Sequence, residues 1–208
     1  MYYNFIRFGS PFDFGANYNL TTNDMTSRGF SFARIPSALW SYFFQPANIT
    51  ARFPYVHPAA FHTDFLIKSI TEQTYGGIFN NLLLLACFMV FKCRRALKEK
   101  GLYFFALTSI LLSFALGILC AQVAGILARY CTDFTWLMLL PACIIVLLAQ
   151  ERLAPGQKQY VYLFVLISLF VSLGFNILSC IGLWREYWSG MGGVNIYYLI
   201  RNAIQFWL

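Results

Sequence analysis

Leu102 to Ala128 is a run of 27 residues without one charged side chain. As an α-helix it would be about 40 Å long, more than the ~30 Å hydrocarbon core of a bilayer requires. Phe134 to Gln150 follows as a second uncharged run, of 17 residues, close to the minimum for a crossing. Only Arg129 to Asp133 separates the two. The pair predicts a tight membrane hairpin with opposite charges at its turn. A soluble core would need buried helices of this length with no polar face, an arrangement uncommon outside membranes.

The rest of the chain agrees with that setting. Of its 208 residues 59% are hydrophobic and 11% charged, with a mean hydropathy of +0.60, an integral membrane composition. The net charge of +7 is densest beside a membrane run, which favours contact with anionic lipid and argues against nucleic acid as a partner. The six cysteines form no CxxC pair, so neither a zinc site nor a disulfide framework is indicated. They read as small apolar residues.

The expected fold class is an all-α membrane protein of about four transmembrane helices with extracytoplasmic loops and short interfacial helices. The expected spans are Gly76–Phe91, Leu102–Ala128, Phe134–Gln150 and Tyr160–Leu183. They divide the chain into an aromatic loop region over 1–74, a four-span bundle over 75–184 and a tail with an interfacial helix over 185–208. Lys92 to Lys100 holds five basic residues and Glu151 to Gln159 holds two, against Arg129 alone in the intervening turn. The positive-inside rule then makes both basic loops cytoplasmic and leaves residues 1–74 and the C-terminus outside. Met1 to Gly15 has no basic start followed by an apolar core, so no signal peptide is legible to export residues 1–74. Either the topology is inverted or, the favoured expectation, the chain is the last part of a longer or split protein with further spans.

Within residues 1–74 aromatics alternate with Gly, Pro, Asn and Asp, which is turn chemistry. Pro36 can open a short helix, SALWSYFFQ, that Pro46 ends; Ile35, Leu39, Tyr42 and Phe43 share one face of it. A second candidate runs from Pro58 to Glu72. Both suit positions on a bilayer surface or on other membrane helices. His57, His62 and Asp64 are too few converging ligands to predict a metal site. Asp13 and Asp24 read as turn residues. Asn19 and Asn48 head formal glycosylation sequons, which mean nothing in a bacterial chain. In the bundle, Gly117, Ala121 and Gly125 recur every four residues and would let another helix approach closely. Pro141 should kink the third span, and Gly174 with Asn176 marks a tight or polar spot in the fourth. The tail, NIYYLIRNAIQFWL, has helical apolar periodicity with Trp207 as an interfacial anchor.

One constellation carries candidate chemistry: Arg129-Tyr130-x-x-Asp133 at the membrane boundary, with Gln122 a turn or two deeper. The guanidinium can clamp a lipid phosphate through paired hydrogen bonds. It can equally form a salt bridge with Asp133 that ties the hairpin shut. No nucleophile with its base, glycine-rich phosphate loop or metal motif is present, so no catalytic residue and no cofactor is predicted.

The opening YYNFIRFGSPFDFGANYNLT resembles a loop found late in bacterial polytopic glycosyltransferases of the C-type class, akin to protein mannosyltransferases and lipid-A aminoarabinose transferases. The Arg129-Tyr130-x-x-Asp133-Phe134 turn before an apolar span, and the order of loop, spans and basic loop, are also similar. The resemblance implies a protein of the bacterial plasma membrane that takes a sugar from a polyprenyl-phosphate donor on the outer face. It assigns Arg129, Tyr130, Asp133 and Arg7 to substrate or lipid-phosphate binding. The catalytic carboxylate of that class lies after its first span, and nothing here corresponds to it. The implied piece would lack activity alone and would partner the N-terminal part of the protein. The alternative is a non-enzymatic membrane protein, a transporter fragment or assembly subunit. A transporter should show repeated halves or broken helices carrying intramembrane charge, and neither is legible.

Overall fold

The computed structural model describes residues 1–13, 15, 30–57, 70–71, 77–123, 125–127, 129–188 and 194–205. His62, Asp64, Asp24, Asn19 and Trp207 lie outside these residues, as does all of the Pro58 to Glu72 stretch except Ile70 and Thr71.

Three quarters (75%) of the described chain is helical, with almost no strand. Short helices α1 (Tyr2–Phe8) and α2 (Arg34–Leu39) come first, and α2 runs on into a π-helical turn, Trp40–Phe44. Two-residue strands β1 (Asn48–Ile49) and β2 (Val56–His57) pair antiparallel, and β3 (Ile70–Thr71) follows. Then come α3 (Gly77–Asn80), a 3-10 helix over Leu82–Met89, and α4 (Arg94–Glu99). Helix α5 (Tyr103–Val123), strand β4 (Gly125–Ile126), and helices α6 (Tyr130–Arg152), α7 (Pro155–Trp188) and α8 (Val194–Ile204) complete the chain. Three of the helices are long and apolar enough to cross a membrane, within Tyr103–Gln122, Tyr130–Arg152 and Pro155–Gly182. At 1.5 Å per residue α5 and α6 are each roughly 30–35 Å long.

The sequence predicted four crossings. The stretch read as the first of them is not an α-helix. It is one α-turn, a break at Asn80-Asn81, and the 3-10 helix, whose first turn Asn81 caps by accepting the Leu83 amide at 3.2 Å. This segment runs alongside α6. Asn80 and Asn81 line one cleft with Cys131 and Thr132, the Cys87 thiol donates to the Met138 carbonyl at 3.1 Å, and Cys93 and Ala96 line another with Ile145 and Ala149. A 3-10 helix rises about 2.0 Å per residue, so a short segment keeps pace with a longer α-helix.

Helices α5 and α6 form the core. Ala106, Ile110, Ser113, Gly117 and Ala121 face Phe134, Met138, Ala142 and Ile145, the alternating three- and four-residue spacing of one helix stripe on another. The Ser113 hydroxyl donates to the Phe134 carbonyl across that interface at 2.8 Å. Pro141 is buried within α6, which runs through it uninterrupted. About one third (33%) of the apolar length of α5 and of α6 is buried, against 6% for α7. Helix α7 is therefore the outer element, and its aliphatic and aromatic side chains need lipid around them.

The connection between α5 and α6 is not a bare five-residue turn. The second predicted span reached Ala128, but helix α5 ends at Val123; Gly125 has φ +94°, and Gly125 to Leu127 are buried. Gly125 and Ile126 pair in parallel with Ile70 and Thr71, which the sequence reading had placed in a helix. The π-helical turn holds the connection from the other side. Tyr42 donates its hydroxyl to the Gly125 carbonyl at 2.9 Å and accepts the Leu127 amide at 3.0 Å. Burial pushes the Tyr42 phenol well up, which keeps it protonated as this donor. Phe43 packs its ring on Phe114 and Phe134, with centroids 4.6 and 5.0 Å away. A Cβ on Gly117 would sit 2.8 Å from the Phe43 ring, and one on Gly77 2.4 Å from Phe43 backbone atoms. The small-residue stripe thus admits an aromatic turn from the N-terminal region.

Two further contacts order the ends of the bundle. Tyr197 of α8 donates its hydroxyl to the Phe53 carbonyl at 3.0 Å, bringing the tail onto the β1–β2 hairpin. At the opposite end of α6, Lys100 pairs with Glu151 at 3.5 Å, and Glu99 pairs with both Arg152 and Arg95.

Candidate functional site

Arg129 is the residue immediately before α6, in the capping position, and its side chain makes no capping bond. It is exposed. Its guanidinium lies over the Tyr130 ring, 5.6 Å from the centroid. Tyr130 is half-buried against the α5–α6 core, and Asp133 stands exposed in the first turn of α6. The ion pairs among the described residues all lie at the other end of α6, so the predicted salt bridge between Arg129 and Asp133 is absent. The stacking orients the guanidinium without neutralising it. Asp133, for its part, sits where the partial positive charge of the helix end favours a carboxylate.

Gln122, read with this group from the sequence, is committed elsewhere. Its side-chain amide exchanges two hydrogen bonds with the Ser31 backbone, accepting from the amide and donating to the carbonyl, each at 2.9 Å. It is 5% exposed, and the pairing satisfies a polar group that would otherwise be costly to bury.

Arg7 stands apart. Its guanidinium donates to the Tyr3 hydroxyl at 2.9 Å and lies over the Phe8 ring at 5.2 Å. No hydrogen bond, ion pair or ring contact among the described residues joins it to Arg129, Tyr130 or Asp133. Asp13 accepts the Gly15 amide at 2.8 Å, a turn role. His57 lies 3.1 Å from the Arg52 carbonyl through Nε2. Among the described residues no group of three His, Cys, Asp or Glu converges to hold a metal.

The Arg129 end of α6 opens on a cleft that the sequence reading did not assemble. It measures about 370 Å³ and lies between the broken first segment, α6 and α7. Asn80, Asn81, Thr132, Thr135, Ser172 and Asn176 give it polar walls, and Trp136, 60% exposed, stands at its side. Asn176 donates to the Asn80 carbonyl at 3.3 Å and to the Ser172 carbonyl at 2.7 Å, so it bridges α7 to the end of α3. The Ser172 hydroxyl is buried without a hydrogen-bond partner among the described residues. Amides and hydroxyls gathered in a mainly apolar cleft between apolar helices are expensive in lipid and offer a place to hold a ligand. Among the described residues no carboxylate and no histidine lines it; its titratable groups are the thiols of Cys131 and Cys180.

The Asn176 signal was legible as a polar spot in an apolar run. Its partners were not, because they depend on how α7 docks against a broken helix nearly a hundred residues earlier. No protein family, curated protein or solved structure matches this chain.

Proposed function

We propose that this chain is the membrane-embedded, substrate-holding part of a glycosyltransferase that draws on a polyprenyl-phosphate-linked sugar in a bacterial plasma membrane. It crosses the bilayer four times, with the two basic loops cytoplasmic and residues 1–74 and the C-terminus outside. Two features support the fourth crossing. The chain from Asn80 to Ala96 accompanies α6 from Cys131 to Ala149. The tail also meets the β1–β2 hairpin at Tyr197 and Phe53, so the chain between them returns to the face it left.

The observation that carries the reading is the exposed Arg129 guanidinium, without an ion pair among the described residues, at the end of α6 whose Cys131 and Thr132 line the cleft. A polyprenyl phosphate needs a cation at headgroup depth for its phosphate and an apolar helix face for its tail. Arg129 supplies the first and the exposed flank of α7 the second; the cleft amides and hydroxyls and the Trp136 ring suit a sugar. The amides and hydroxyls of the cleft support a binding and positioning role for this part.

The same observation favours the second reading, a non-enzymatic transporter fragment or assembly subunit. Binding separates them. Detergent-solubilised protein should retain a short-chain polyprenyl phosphate over a polyprenol of equal length, and Arg129→Ala should abolish that preference. Equal retention of the phosphate by Arg129→Ala would remove the phosphate-clamp role and leave the second reading standing.

A further inference from the structure

At the far end of α6 from Arg129 a larger groove, of about 700 Å³, opens between the 3-10 segment, α6 and α7. Its walls are apolar, Leu85, Ile145 and Phe164 among them, and its mouth carries Lys92, Arg95 and Arg152. We propose that it is a binding site for an anionic glycerophospholipid of the surrounding bilayer, with an acyl chain along the walls and the phosphate among the three cations.

Charge complementarity decides the occupant. Among the described residues no carboxylate lines the groove. Arg95 and Arg152 share the single carboxylate of Glu99, and Lys92 makes no ion pair among the described residues. Net positive charge therefore remains at the mouth. A zwitterionic lipid brings its own cation into that field, whereas an anionic headgroup brings none. A free phosphate would leave the apolar walls unfilled. Helix α7, which forms one wall of the groove, is buried over only 6% of its apolar window, so this wall borders an uncovered apolar helix face. The Arg129 cleft extends along α6 to Leu139 and this groove begins at Ile145, so the two share no lining residue, and the inference stands or falls without the sugar-transfer reading.

The test is native mass spectrometry of the full chain released from micelles, titrated with phosphatidylglycerol and with phosphatidylcholine of the same acyl chains. The wild type should prefer phosphatidylglycerol, and Lys92→Gln, which breaks no ion pair, should lower that preference roughly fivefold. Lys92→Gln with Arg152→Gln should lower it by roughly tenfold or more. Arg94→Gln with Lys100→Gln removes the same charge at the same end, but neither residue lines the groove; the preference should persist. Ala149→Phe fills the groove with every cation in place and should expel the lipid, with circular dichroism and elution volume reporting that the variant is folded. Equal binding of the two lipids by the wild type would overturn the proposal. So would an equal loss in the Arg94/Lys100 pair, which would mean a diffuse surface field. A dimer that Ala149→Phe abolishes would mean that a second copy fills the groove, and would overturn it as well.

Discussion

The Tyr42 hydroxyl stands 2.9 Å from the Gly125 carbonyl, so a residue of the N-terminal region closes the turn between two spanning helices. The same oxygen accepts the Leu127 amide. Tyr42→Phe keeps the ring but strands a buried carbonyl and a buried N–H. An orphaned buried backbone group costs about 1–3 kcal/mol, so the variant should lose roughly 2–4 kcal/mol of stability. Thermal unfolding in detergent reads this as a clear drop in midpoint. A midpoint unchanged from wild type would mean that Tyr42 does not hold the turn.

Glycines of the bundle should separate by what faces them. Gly117→Val places a branched side chain where a Cβ already meets the Phe43 ring at 2.8 Å, and overpacking of this kind costs about 1–3 kcal/mol. Gly174→Val meets nothing within 4 Å and lies on the lipid-side helix. The first variant should unfold at lower temperature and the second close to wild type. If the smaller Phe43→Leu side chain restores Gly117→Val in part, the pair is coupled through this contact; additive losses would deny it.

These two cases mark how far the sequence could be read. The charge-free runs announce α5, α6 and α7, because lipid leaves a long uncharged segment few alternatives to a helix. The first predicted crossing is harder. Its apolar residues fit α and 3-10 periods equally over so short a stretch, and Asn80-Asn81 gives no hint that Asn176 waits to bridge the break. The aromatic run around Tyr42 shows one apolar face, and an apolar face looks the same whether lipid or two helices will cover it. Gly117 and Ala121 signal close approach without naming who approaches. At the candidate site, Arg129 and Tyr130 are neighbours in sequence, whereas the cleft beside them draws on three separated segments, and Gln122 turned out to serve Ser31.

Arg129 should matter for binding and not for folding. It is exposed and without an ion pair among the described residues, and surface substitutions of that kind stay within about 0.5 kcal/mol. Arg129→Ala should unfold at the wild-type midpoint while losing its preference for polyprenyl phosphate. Arg7, whose contacts are with Tyr3 and Phe8, provides a comparison. If the resemblance assigns it correctly, Arg7→Ala should weaken the same binding, and the two effects should add, since no contact couples the residues. A large loss of stability in Arg129→Ala would show instead that the guanidinium holds the helix end.

The number of crossings can be read from chemical labelling in cells. In a variant stripped of its native cysteines, single cysteines at Asn48, Thr132, Ala154 and Arg201 report four exposed positions. Four crossings with cytoplasmic basic loops place Asn48, Thr132 and Arg201 outside and Ala154 inside. A membrane-impermeant maleimide should then label the first three in intact cells, and Ala154→Cys only after lysis. Three crossings would set Asn48 and Arg201 on opposite faces, which conflicts with Gln205 lying 3.4 Å from the Tyr55 hydroxyl and with Tyr197 bonded to Phe53. Labelling of Ala154→Cys alone in intact cells would invert the orientation and move the Arg129 cleft to the cytoplasmic face, away from any donor presented outside.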